Sequence, residues 1–154
     1  ICEIANDNCP GQVVLSGHSD QVAKISEICK KNGAKITIDL KVSAPFHCNL
    51  MSKATEIMKN EIEKLSFLDG QNQLISNVTA DEIISKVELK KLLINQIESR
   101  VRWRESVQNM INKEVKQFIE IGPGKVLSGL VKRINRNVKI DTINSESDIK
   151  ELKI

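Results

Sequence analysis

The spacing of apolar residues changes along the chain, and that change constrains the fold more than any other feature. Between Asp20 and Lys31, Val22, Ile25, Ile28 and Cys29 recur at steps of three and four, the period of a helix face. Asn32-Gly33 closes that helix and Ser19 is its expected N-cap. From Ala34 to Val42 the period drops to two through Ile36, Ile38 and Leu40, which predicts a strand. Two shorter apolar runs, 2–6 and 12–16, flank Asp7-Asn8-Cys9-Pro10-Gly11 and predict two strands around a rigid connection. The first forty or so residues therefore read strand–strand–helix–strand, as in a ferredoxin-like layer lacking its first strand and helix.

After Pro45 helices dominate. Leu50, Met51, Ala54, Ile57, Met58, Ile62 and Leu65 form one long stripe, and residues 73–78 read as a short strand. Val87–Ile97 and Glu105–Ile111 are amphipathic helices. Val115–Ile121 is a strand closed by Gly122-Pro123-Gly124, followed by a helix over Lys125–Ile134 and a last strand over Val138–Ile143. Ser147–Leu152 ends the pattern as a turn or helix. Alternation of this kind predicts α/β packing.

Composition excludes several classes. The chain has 154 residues and a net charge of +3, too small to imply nucleic acid or a membrane by itself. Aromatic residues make up 3% and tyrosine is absent, so a base-stacking platform is poorly supplied. No apolar run approaches the length of a membrane span. A chain of 17.3 kDa is expected to bury roughly 70% of its extended surface. Cys2, Cys9, Cys29 and Cys48 form no C-x-x-C pair, and His18 and His47 stand at no zinc-ligand spacing, so no metal is expected. Reduced thiols in an intracellular chain are the simpler reading, with two disulfides the alternative. The opening Ile-Cys-Glu-Ile-Ala-Asn is strand-like from its first residue and resembles no signal peptide, which reads as a chain cut from something longer.

His47 is the sharpest chemical candidate. It follows Pro45-Phe46 at a strand exit before a long helix, and imidazole exchanges a proton near neutral pH. The plainer alternative is a packed histidine that orients the chain. Cys48 is a poor partner for it, because adjacent side chains diverge. Gly17-His18-Ser19 is half of a nucleophile elbow, but Gln21 stands where the second glycine belongs. Ser19 is better read as a cap, and His18 as a residue facing solvent or making a local hydrogen bond. Gly122-Pro123-Gly124-Lys125 lacks the Walker spacing, and retains only a helix start whose N–H groups can face an anion or a cleft. Lys132, Arg133, Arg136 and Lys139 are either a solvated helix end or a dock for an acidic partner.

Taken in order, several segments resemble malonyl-CoA:acyl carrier protein transacylases. They are IANDNCPGQVVLSG, VSAPFHCNLM, LISNV, the helix bearing Gln96 before VRWRESV, and FIEIGPGKVLSGLVKRI. The resemblance runs over essentially the whole chain. It implies a partial α/β-hydrolase-like acyltransferase large domain over 42–154, with the later part of an incomplete ferredoxin-like α+β subdomain over 1–41. It implies malonyl transfer from coenzyme A to the phosphopantetheine thiol of acyl carrier protein in fatty acid synthesis, by way of an acyl-serine. His47 would be the base, oriented by the Gln96 backbone carbonyl. Asn6, Asn8, Phe46 and Asn77 would meet substrate, with Phe46 narrowing the acyl pocket. Lys132, Arg133 and Arg136 would receive the carrier.

The same resemblance implies no tightly bound cofactor, no nucleic acid or membrane partner, a monomeric full-length enzyme, and a cytoplasmic or organellar-matrix location. The elbow serine, the oxyanion-hole glutamine and the carboxylate-binding arginine match nothing in this chain, and Arg100 and Arg102 do not stand in for the last. The chain alone is therefore expected to be inactive. Two alternatives are a non-catalytic carrier-binding or regulatory module and an RNA-binding ferredoxin-like module, the latter disfavoured by the scarce aromatics.

Overall fold

The computed structural model describes residues 1–152. Strand β1 (Cys2–Cys9) pairs antiparallel with β2 (Gln12–Gly17), and helix α1 (Ser19–Lys31) packs on the hairpin. The strands run up to a tight turn at Pro10-Gly11, closer than the five-residue connection predicted. Gly11 adopts φ 77°, a conformation glycine reaches without steric cost. At Gly17 a Cβ would lie 2.3 Å from the Ile1 carbonyl oxygen and 2.7 Å from Cys2 Cα, so only glycine fits where β2 leaves the hairpin.

A 3₁₀ turn over Asn49–Met51 leads into α2 (Ser52–Lys64), which packs against α3 (Lys86–Asn95). Helix α4 (Trp103–Asn112) lies on β1. Strand β3 (Gln117–Ile121), helix α5 (Val126–Ile134) and strand β4 (Lys139–Ile143) form a β-α-β unit with β3 and β4 parallel and in register, Gln117 opposite Lys139. Helix α6 (Glu146–Glu151) closes the order behind a capping box at Ser145 and Asp148. The architecture is α/β, as the alternation of periods implies.

The core runs between the hairpin, α4 and α5. Val107 and Cys48 are wholly buried, and Ala5, Cys9, Leu130 and Val131 join them. Residue Val101 forms a parallel bridge with Asn6, adding a third strand-like partner to β1.

Four expectations need correction. Residues 34–42 form no strand: Ile36, Ile38, Leu40 and Val42 alternate as expected yet are all exposed, the first two at 75%. Alternation sorts side chains between two faces, but a strand also needs a neighbour for its amides and carbonyls, and none among the described residues lies alongside. Residues 73–78 contribute only the isolated bridge Ile75 to Glu82. Ser19 is the first residue of α1 and not its cap; His18 holds that place without a side-chain bond. Burial also falls short. The chain keeps 11116 Å² in water, against about 7,800 Å² for a folded monomer of this mass, and so buries about 56% of its extended surface.

Two outcomes test this account. Val107→Ala should lower unfolding free energy by about 2 kcal/mol in urea titration, since it empties a fully enclosed site. Replacing Ile36, Ile38 and Leu40 together by Thr should leave the midpoint unchanged while reducing self-association in sedimentation.

Candidate functional site

Pro45 biases Ala44 toward extended backbone, and two residues later the chain turns sharply at His47, whose φ is 60°. A non-glycine residue in the left-handed region is uncommon, and surrounding bonds must hold it there. The His47 N–H donates to the Ile97 carbonyl at 3.2 Å. Its Nδ1 lies 2.8 Å from the Gln96 carbonyl oxygen and 3.1 Å from that of Ser99. Carbonyl oxygens only accept, so Nδ1 carries the hydrogen and shares it between them. In the neutral ring Nε2 is then the bare nitrogen, and no group among the described residues bonds it.

The Gln96 carbonyl is available because α3 stops there, and the Ser99 carbonyl lies in the turn that follows. The last carbonyls of a helix have no partner within it and carry partial negative charge. Gln96 is the C-cap of α3, and residues 97–99 turn back on its last turn through Ile97 N–H to Ile94 and Ser99 N–H to Asn95. The hydrogen on Nδ1 is thus held by carbonyl oxygens and not by a carboxylate.

Four sets of contacts hold this corner. Val101 N–H donates to the Ala5 carbonyl at 2.8 Å, and Asp7 N–H donates to the Val101 carbonyl at 2.9 Å. Glu3 accepts from the Asn49 side chain at 2.9 Å and from its backbone N–H at 3.3 Å, tying the turn after His47 to β1. Arg102 pairs with Glu105 and also donates to the Thr79 carbonyl at 3.0 Å; its guanidinium holds the Glu105 carboxyl below the usual range. Arg104 grips Asp7 through two nitrogens, at 2.7 and 3.0 Å.

The candidate residues are placed as follows. Asn77 Nδ2 is 3.5 Å from Gln96 Oε1 and its carbonyl accepts from Arg102 N–H, so Asn77, Gln96 and His47 form one connected group. Asn6 sits at the Val101 bridge; Asn8 lies further along β1, half-buried. Phe46 is 47% exposed. Lys132, Arg133 and Arg136 are exposed at the end of α5, where Arg133 donates to Gln12 Oε1 at 2.6 Å. Cys48 is buried with its thiol directed to the Pro45 carbonyl at 3.2 Å, and all four cysteines are free thiols. His18 is exposed.

The helix start after Gly122-Pro123-Gly124 differs from expectation. Its amides at Leu127 and Ser128 are taken by the Glu120 carboxylate at 3.0 and 2.7 Å, so they are not free for an external anion. Nothing in the sequence points to Ser99, Ile97 or the Asp7–Arg104 pair. Backbone carbonyls leave no residue-type signal, and an acid and a base 97 positions apart give none either. An open hollow of about 470 Å³ lies between Pro10, Ala80, Arg102, Arg104 and Asn109, but none of the His47 partners lines it. No helix among the described residues is long and apolar enough to cross a membrane.

Over nearly its whole length the chain has the fold of the S-malonyltransferases. It superposes on an acyl carrier protein S-malonyltransferase from Vibrio cholerae with a TM-score of 0.95 and 38% identity, covering 99% of this chain and 50% of that one. It also superposes on a malonyl-transacylase solved with its type II PKS acyl-carrier protein, at a TM-score of 0.94 and 35% identity, covering 97% of this chain and 48% of that one. In sequence it is 46% identical over 149 residues to the malonyl CoA-acyl carrier protein transacylase of Bacillus subtilis, covering 97% of this chain and 47% of the relative. The chain thus spans about half the length of the curated relative it matches. No protein-family model matches it.

Beside the hollow, Lys113 first, then the Glu82 amide and the Asn109 side chain, hold the Asp81 carboxyl at about 2, below its ordinary 3.8. A depressed folded value stabilises above the unfolded one and the gain is lost as pH falls toward about 2. Asp81→Asn should therefore be slightly less stable than the parent at pH 5, and the two melting curves should converge near pH 2. The difference should be small and shrink in salt, because the pair is exposed.

Proposed function

We propose that these residues supply the acid–base half of a malonyl-CoA:acyl carrier protein transacylase. The observation that carries this reading is His47 Nδ1–H shared between the backbone carbonyls of Gln96 and Ser99, in a fold matched over half of such enzymes. In this reading residues 1–41 are the later part of a ferredoxin-like small subdomain and 42–154 belong to the large domain. The nucleophilic serine lies on the half of the fold that this chain does not span, so the 154 residues alone transfer nothing.

The chemistry follows from the bare Nε2. It takes the proton of the serine hydroxyl as the oxygen attacks the malonyl thioester, and returns it to the departing coenzyme A sulfur. In the second half-reaction it takes the proton of the phosphopantetheine thiol, and gives it back to serine as the malonyl group leaves. The imidazolium formed each time is stabilised by the Gln96 and Ser99 carbonyls in place of a carboxylate. Asn6, Asn8 and Asn77 bind polar parts of the acyl thioester, Phe46 limits acyl bulk, and Lys132, Arg133 and Arg136 meet the acidic carrier. No cofactor is held; malonyl-CoA and the carrier thiol are substrates. The carrier complex among the similar structures supports the choice of partner.

The test is a fusion of this chain with the remaining part of the Bacillus subtilis relative, assayed for malonyl transfer to carrier. His47→Ala should lower kcat about 10²–10⁴-fold, and unchanged turnover would overturn the assignment. Gln96→Ala should cost less than about tenfold, because the acceptor is its backbone and the side-chain bond to Asn77 is long. Lys132→Glu with Arg133→Glu should raise KM for the carrier at low salt, with the effect fading as salt rises. Carrier binding without transfer, indifferent to His47, would favour the non-catalytic module instead.

A further inference from the structure

The segment that orients His47 has few ties to the hairpin. Residues 96–101 follow the end of α3, and their one sheet pairing is the isolated bridge of Val101 to Asn6. Among the described residues, their ties to β1 are the two backbone bonds at Val101 and, three residues on, the grip of Arg104 on Asp7. Asp7 is the residue whose own N–H makes one of those backbone bonds. Its side chain is only 10% exposed, and Arg104 holds both of its oxygens. Paired, charge-assisted bonds of this kind are among the strongest and most directional that side chains make.

We propose that Asp7 and Arg104 are a positioning pair for His47, fixing which of its ring nitrogens carries the proton. The proposal deepens the reading of His47 as a base and rests on it for its functional meaning, while the geometry stands alone. The coupling runs through the buried carboxylate. Removing the guanidinium leaves a charge in a poor solvent, at a cost that backbone movement toward water relieves. Asp7 cannot move without disturbing its N–H bond to Val101. Val101 is two residues from Ser99, so the Ser99 and Gln96 carbonyls shift away from Nδ1. A ring that loses those acceptors exchanges freely between its two neutral forms. Neither residue touches the ring, so neither is catalytic.

Two histidines make the test direct. In protein labelled with ¹⁵N-histidine, two-bond ¹H–¹⁵N correlation spectra distinguish protonated from bare ring nitrogens, and exposed His18 serves as internal reference. In the parent chain His47 should show Nδ1–H with bare Nε2. Arg104→Gln should reduce that tautomer ratio about fivefold, the loss expected for one net hydrogen bond. Arg104→Lys should fall between, since one ammonium cannot match two oxygens. Arg100→Gln, which removes only an exposed contact to Glu105, should leave the His47 pattern unchanged.

A folded Arg104→Gln protein with the parental His47 pattern would overturn the proposal. If that variant does not fold, a parental pattern in Arg104→Lys overturns it equally. The outcome is separable from the functional reading. A fusion enzyme indifferent to His47→Ala would sink the base assignment and leave the tautomer result intact.

Discussion

Two backbone hydrogen bonds, from Val101 to Ala5 and from Asp7 to Val101, join parts of the chain almost a hundred residues apart. Everything distinctive about the His47 corner depends on them. They hold the end of α3 against β1, so that the carbonyls of Gln96, Ile97 and Ser99 converge on one residue. Around them Glu3 fixes the turn that follows His47, and Arg102 fixes the loop at residues 78–79. The hairpin is therefore part of the site's frame, although none of its described side chains reaches the imidazole in a hydrogen bond.

A histidine held by carbonyls differs physically from one held by a carboxylate. A carboxylate brings a full charge that must itself be kept solvated or paired. Backbone carbonyls bring partial charges already fixed in direction and needing no counter-ion. Both choices set the tautomer, but in the second the hydrogen on Nδ1 is held without a carboxylate acceptor. The left-handed backbone at His47 is the geometric counterpart: it lets the amide and the ring of one residue address the same loop.

Much of this is legible from residues alone where local spacing decides the outcome. The helices at 19–31, 86–95 and 103–112 and the β-α-β unit at 117–143 follow from apolar period and turn chemistry. His47 stands out through its place after Pro45-Phe46, and Gln96 through family resemblance. What escapes is long-range. Residues 34–42 have the alternation of a strand but no described neighbour to bond, and periodicity reports faces without reporting partners. Ser99 and Ile97 act through atoms every residue possesses. Asp7 and Arg104 meet only because Val101 brings their segments together. The helix start at Val126 looks open to anions because Glu120 precedes the turn, and only folding returns its carboxylate to the amides.

The unusually large wetted area has a thermodynamic consequence. Heat-capacity change and denaturant sensitivity both scale with the surface newly exposed when a chain unfolds. The 154 residues taken by themselves, half the length of the relative they match, present roughly 3,300 Å² more than a typical folded monomer of equal mass, so less remains to be uncovered when they unfold. Its stability curve should be shallow and broad in temperature. A small denaturant slope widens the transition without making it less cooperative, so these residues by themselves should unfold over a broad range of denaturant about a single midpoint.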